Sequence, residues 1–284
     1  MKSLPLFLVL APLAAAVPAL AQNAPPSCPK DAGAGQSTNW GPNYDLYVQE
    51  IFELAKDKAG ITQPVRLIST QFRTIEGSPI SALPKGTQVR DGALPTDTVV
   101  YGFGLFEIAC DQAQLATFML HEMRHIKPDE NGKTHFQKVA DCRKEMLQTW
   151  AAGTDLSAYP NPKAEIDDFL VKKANEIQTK CVLPVEKEAD DFAFATLPKM
   201  GLQMSNGPDP FGDARSKSFQ NADKWAQATN VNGCDPGHGC LADRAKAGAK
   251  VAAGEIKARQ DAQAAQQAAQ DRIDMMSHVR PDGN

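Results

Sequence analysis

The segment His121-Glu122-Met123-Arg124-His125 decides how the chain is read. Histidines four residues apart lie one turn apart on one helix face, where both imidazoles can bind a single metal ion. Glu122 follows the first histidine, so it can reach a water on that metal without ligating the metal itself. The surrounding sequence is helical: Asp111 is a candidate N-cap for a helix reaching about Ile126, with Pro128 just beyond its end. An accidental match on a solvated helix is the competing reading, and with five histidines in the chain such a coincidence is rare.

A zinc site with two histidines needs a third protein ligand and leaves its fourth position to water or substrate. Downstream, Glu186-Lys187-Glu188-Ala189-Asp190, preceded by Pro184, opens another predicted helix. Glu186 can be the third ligand. Asp190, four residues on and on the same face, can accept the free N–H of a ligating histidine and so fix its tautomer and orientation. The same residues also read as an acidic helix start that complements the macrodipole.

Working outward, the chain has 284 residues, 42% hydrophobic and 23% charged, which excludes collagen-like, low-complexity and largely disordered classes. Lys2, the apolar run Leu4 to Leu20 and the small-x-small site Ala19-Leu20-Ala21 predict a signal peptide over residues 1–21. Prolines interrupt the run and no stop-transfer pattern follows, so a membrane anchor is not expected; no cysteine follows the cleavage point, so neither is a lipid anchor. Cleavage leaves 263 residues with a net charge of −5, because Lys2 is the only charge removed from a chain of −4. That mild acidity gives no reason to expect nucleic acid or an anionic membrane as partner. No later segment reaches the ~18 uninterrupted apolar residues of a membrane span. The expectation is a periplasmic or secreted protein of unassigned oligomeric state.

All six cysteines (28, 110, 142, 181, 234 and 240) follow the signal, and an even count in an oxidising compartment predicts up to three disulfides. Cys234 and Cys240 bracket the loop Asp235-Pro236-Gly237-His238-Gly239 and form the expected pair. The pairing of Cys28, Cys110, Cys142 and Cys181 stays open, as does the alternative that some are free buried thiols.

Residues 22–42, rich in Pro, Gly, Ser and Asn, predict an extended lead-in. Tyr47, Ile51, Leu54 and Ala55 give a helical stripe that Gly60 ends. Val65–Ser69 and Thr98–Tyr101 are short β-prone runs separated by Gly and Pro turns, which predicts a small antiparallel sheet. Further helices are expected near 135–152, 162–179, 185–200 and 210–228. The fold class is α+β, mostly helical, with a principal domain over 43–247 and an Ala/Gln-rich helical tail over 248–284. The tail's alanine side can cover only a shallow surface.

Over roughly Val65 to Ala247 the chain resembles the zinc metallopeptidase family of the CAAX prenyl protease, the HtpX membrane protease and the soluble periplasmic BepA-type proteases. Gly102-Phe103-Gly104-Leu105-Phe106-Glu107 and Asp111-Gln112-Ala113-Gln114-Leu115-Ala116 are similar to the family's approach to the paired-His helix. Glu186 to Asp190 matches its Glu-x-x-Ala-Asp element, and His238 with Arg244 resembles its His-Pro segment and following Arg. Ser81-Ala82-Leu83-Pro84 resembles the edge-strand segment beside the cleft. Arg124 stands where the family has an uncharged residue, Pro128 ends the helix early, Gly239 replaces the proline, and the edge-strand Asn is missing.

The resemblance implies a zincin-like domain with one Zn2+ held by His121, His125 and Glu186. It implies Glu122 as the general base and then general acid of peptide-bond hydrolysis, with Asp190 behind the ligands. His238 is the candidate oxyanion donor, or else an exposed residue of a disulfide hairpin. Arg244 would position the loop or the substrate, or form a plain surface salt bridge. Ser81, Ala82 and Leu83 would offer a sheet edge to an extended polypeptide, which gives affinity with little sequence demand, or else form a plain loop. His135 and His278 carry no partner pattern and read as surface residues. The expected function is an exported zinc endopeptidase acting on unfolded or misassembled envelope proteins. The alternative, motivated by Arg124, is a degenerate zinc-binding chaperone or assembly factor.

Overall fold

A computed structural model describes residues 44–75, 77–155, 159–204 and 209–278. The predicted signal peptide, the lead-in, Cys28 and the polar end after residue 278 lie outside the described residues. In chain order come α1 (Tyr44–Ala59), β1 (Val65–Ser69), β2 (Ile80–Leu83), β3 (Gln88–Val89), β4 (Gly92–Ala93), β5 (Asp97–Tyr101) and the short α2 (Leu105–Ile108). There follow α3 (Gln112–Ile126), α4 (His135–Ala152), α5 (Pro162–Lys172), α6 (Ala174–Ile177), α7 (Leu183–Thr196) and α8 (Ala214–Thr229). The hairpin strands β6 (Cys234–Asp235) and β7 (Gly239–Cys240) lead into α9 (Leu241–His278). The described chain is mostly helical with small sheets, the expected α+β class.

Three strands pair in the order β1-β5-β2, so β2 is an edge. β2 runs antiparallel to β5, with Ser81 opposite Val100, as predicted. β1 instead runs parallel to β5, with Leu67 opposite Val99, so the sheet is mixed. The connection explains the difference. A parallel pair needs a long crossover, and the segment from residue 70 to 96 provides one by reversing through β2 and the β3–β4 hairpin before returning beside β1.

α3 is the hub of the core. Asp111 caps it by accepting the Gln114 N–H at 2.7 Å, and every residue from Ala113 to Ile126 is buried. Val48, Ile51, Phe52 and Ala55 of α1 cover one side, and β2, α7 and α8 pack on the others. A helix enclosed all round places any polar residue it carries inside the protein, where an unpaired charge is costly. His121, Glu122, Arg124 and His125 all sit on this helix and all need partners.

α7 supplies several of those partners. Val185, Glu186, Ala189, Asp190 and Ala193 recur at helical spacing and form its buried face, packed on α3. One π-helical turn, Gln178–Val182, precedes α7, and its Cys181 is bonded to Cys142 of α4. Two of the cysteines left open by sequence thus tie α4 to the entrance of α7. The expected Cys234–Cys240 disulfide closes the β6–β7 hairpin.

The boundary placed at 247/248 from composition falls inside α9, which runs unbroken from Leu241 to His278. Its alanine side docks: Ala245, Ala249 and Ala252 are buried, whereas residues 257–272 are exposed. At the crossing with α8, a Cβ on Gly248 would lie 2.8 Å from the Arg215 carbonyl carbon and the Ser216 nitrogen. Arg215 is 1% exposed and is held by Asp213 at 2.8 and 3.0 Å and by Glu255 of α9 at 2.9 Å. Gly248→Ala therefore forces two backbones apart beside a buried ion cluster. The expected loss is about 1–3 kcal/mol, in the range of core overpacking, read as a fall in thermal midpoint of several degrees. A midpoint equal to wild type would show that α9 does not need this close approach.

Candidate metal centre

α3 and α7 bring together the residues that their separate motifs predict. His121 Nε2 lies 3.1 Å from His125 Nε2 and 3.1 Å from Glu186 Oε2, and His125 Nε2 lies 3.4 Å from Glu186 Oε1. One donor atom from each of His121, His125 and Glu186 falls within 4.8 Å of the others, and all three residues are buried. Two imidazoles and a carboxylate with room for a fourth group is the donor set of a catalytic zinc site, so the residues fit a divalent ion of that kind.

His121 is oriented from behind. Its Nδ1–H donates to Asp190 Oδ1 at 2.9 Å, leaving Nε2 for the metal side. Arg244, from the first turns of α9, donates to the same carboxylate through Nε (2.7 Å, Oδ2) and Nη2 (2.6 Å, Oδ1). Its guanidinium also stacks 4.3 Å over the Phe219 ring of α8. Sequence offers Arg244 as a residue positioning the loop or the substrate, or as a surface salt bridge; it lines the cleft with Nε and Nη2 bound to buried Asp190, so it acts through that carboxylate.

Burial opposes charge on His121, but the hydrogen bonds to Asp190 and Glu186 outweigh it and raise the imidazole to about 10. Burial likewise disfavours ionised Glu186, yet His121, His125 and His238 hold its carboxyl below the usual range. For His125 burial outweighs the pull of Glu186 at 3.4 Å and lowers the imidazole to about 3. One ring is thus held as a cation between carboxylates while its neighbour stays neutral.

Glu122 is buried beside this cluster. Ala82, in the middle of β2, donates its N–H to Glu122 Oε2 at 2.6 Å. That bond shows which way the strand faces: the Ala82 amide points off the free edge of β2, away from β5. Burial, reinforced by the neighbouring Glu186 charge, raises the Glu122 carboxyl to about 7, where a residue exchanges protons readily at neutral pH.

The cleft over these groups has a volume of about 670 Å³. Ser81 and Ala82 line it together with Phe118, Phe219 and Trp225; Leu83, expected with them, pairs with Thr98 of β5 and is not in the cleft wall. His238 stands at the rim, 54% exposed, with Nδ1 3.0 Å from both Asp235 oxygens and Nε2 3.9 Å from Glu186 Oε1. Asp235 also accepts the Gly237 and His238 amides, so the disulfide-closed hairpin fixes the direction of the ring.

Two residues behave differently from their sequence reading. Arg124, one residue from His125 in sequence, turns away from the cluster and donates to Glu188 and to the Lys127 carbonyl (2.7 Å). It lines a separate shallow depression with Lys127, Asp129 and Lys138 and takes no part in the cleft wall. His135, read as a surface residue, is 1% exposed, with Nδ1 3.1 Å from His125 Nδ1. Burial and the Arg124 cation keep its ring neutral, with a pKa lowered to about 4. The turn between α3 and α4 explains the placement. Pro128 ends α3, Gly132 takes a left-handed conformation (φ 74°), and a Thr134–Gln137 capping box starts α4 with His135 facing back. No spacing rule marks such a contact; the only sequence signal is a histidine at the first position of the next helix.

No protein-family model, curated protein or solved structure matches the chain. The reading of the centre therefore rests on its own geometry.

Proposed function

We propose that the chain is an exported zinc endopeptidase with a zincin-like domain, hydrolysing peptide bonds of unfolded or misassembled envelope proteins. The observation that carries this reading is the convergence of His121, His125 and Glu186 with the Glu122 carboxylate, beside the free edge of β2. A zinc ion in such a set supplies a Lewis acid and lowers the pKa of water to about 7.

The protein's own residues do the rest. An extended polypeptide pairs along β2 through the outward main-chain groups other than the Ala82 N–H, which Glu122 holds. Glu122 keeps one oxygen on the Ala82 amide. The other, which makes no hydrogen bond among the described residues, accepts a proton from the attacking water and delivers it to the leaving amine. Asp190, backed by Arg244, holds the proton on His121 Nδ1 and so fixes the ring. His238, aimed by Asp235, donates to the developing oxyanion. The largely apolar cleft suits side chains that folded proteins keep buried.

The Cys142–Cys181 and Cys234–Cys240 disulfides support an oxidising compartment. No helix among the described residues is long and apolar enough to cross a membrane. Casein turnover tests the proposal: cleavage is expected, lost on chelation and restored by zinc. Binding of casein without cleavage in either state would overturn the enzyme and favour a zinc-holding chaperone, although the placement of Arg124 removes the first reason for that alternative.

A further inference from the structure

We infer that His135 is a positioning residue for the metal centre, accepting the His125 Nδ1–H and so fixing the tautomer and tilt of that ligand. The inference rests on the zinc reading above and goes beyond it, since the three-ligand set says nothing of what stands behind His125.

The two histidines of α3 need the same service. Each faces Glu186 through Nε2, so each must carry its proton on Nδ1 and give it to an acceptor. For His121 the acceptor is Asp190. For His125 the group within reach is His135 Nδ1, at 3.1 Å, with ring centroids 5.0 Å apart and planes at 77°. An edge-on approach of this kind lets a lone pair of one ring meet the N–H of the other. The contact has a hydrogen-bonding sense only if His135 keeps Nδ1 bare and carries its proton on Nε2. Nε2 is buried and faces Glu188 Oε2 at 3.3 Å, outside hydrogen-bonding alignment. Glu188 is in turn held by Arg124 and, at 3.1 Å, by Lys138.

The two ligands are thus supported unequally: a carboxylate stands behind His121 and a neutral imidazole behind His125. The position of His135 depends on α4, which the Cys142–Cys181 disulfide ties to the entrance of α7. Through His135, the seating of α4 sets the geometry of a ligand on α3.

The test compares zinc dissociation constants, measured by competition with a chromophoric chelator, for wild type, His135→Phe and His135→Asn. Phe fills the space without an acceptor; Asn offers a carbonyl oxygen to His125. His135→Phe is expected to weaken zinc binding about 10–100-fold, the range for lost partners of ligating histidines, with His135→Asn recovering most of it. The visible spectrum of the cobalt-loaded proteins should shift in Phe and return in Asn. Equal affinities in all three would overturn the inference while leaving the zinc site standing; a wild type that binds no zinc would overturn both. Nitrogen NMR of zinc-loaded wild type needs no variant: His135 is expected with Nδ1 bare and Nε2 protonated, and a proton on its Nδ1 would overturn the inference.

Discussion

Glu122→Gln is expected to lower the rate of casein cleavage about 10²–10⁴-fold, the span attributed to a positioned general base, with zinc content unchanged. The separation follows from the geometry. Glu122 is outside the group formed by His121, His125 and Glu186, so its charge is not needed to hold the ion. The amide oxygen of Gln can still accept the Ala82 N–H that Glu122 accepts at 2.6 Å, so β2 keeps its place beside α3. Only proton transfer is removed. Cleavage at the wild-type rate, by protein freed of contaminating protease, would withdraw Glu122 from the mechanism.

The same substitution has a stability signature of known sign. Burial raises the Glu122 carboxyl to about 7 in the folded protein, from an ordinary value of 4.5. A raised carboxylate costs the folded state nothing below pH 4.5, and the cost is complete above about pH 7. Without metal, Glu122→Gln should therefore stabilise the protein at pH 8 by up to about 3 kcal/mol and leave it unchanged at pH 4. Thermal melts at the two pH values separate this from a general packing effect, which would act at both.

The parts of the molecule legible in the sequence are those where chemistry imposes a local period. His121 and His125, like Glu186 and Asp190, lie four apart because each pair must share one helix face. The Asp111 cap and the Gly60 stop are likewise local devices. What escaped is set by tertiary placement. The parallel direction of β1 depends on how the segment from 70 to 96 folds back. The contact between Ala82 and Glu122 depends on the register of an edge strand against a helix forty residues on. His135 reaches His125 only because the α3–α4 turn reverses the chain. Arg244 reads from sequence as a substrate or surface cation, and only the docking of α9 on α8 shows it bound to Asp190. The continuity of α9 across 247/248 was hidden for another reason: composition changes there, but helix propensity does not.

Zinc should raise the thermal midpoint by an amount that grows with pH, and Glu186→Ala should abolish the rise at every pH. Without metal, His121 is held to about 10, above its ordinary 6.5, by Asp190 and Glu186. A raised histidine contributes stability that is complete below pH 6.5 and is lost as pH climbs through about 10. Buried, ionised Glu122 adds to that loss, so the midpoint without metal should fall on the alkaline side. Zinc binding runs the other way. His125 is already neutral and Glu186 already ionised at pH 7, so His121 alone must release a proton to ligate. That proton alone improves the apparent affinity about tenfold for each pH unit between 7 and 9. With free zinc a thousandfold above its dissociation constant the stabilisation is about 4 kcal/mol, or roughly 10 °C for a domain of this size. Calorimetry in two buffers of different ionisation heat counts the proton directly. Above pH 7 a second proton comes from water ionising on the ion, whose pKa falls to about 7; none at all would mean that zinc does not reach His121, and the centre would then not be the one its geometry describes.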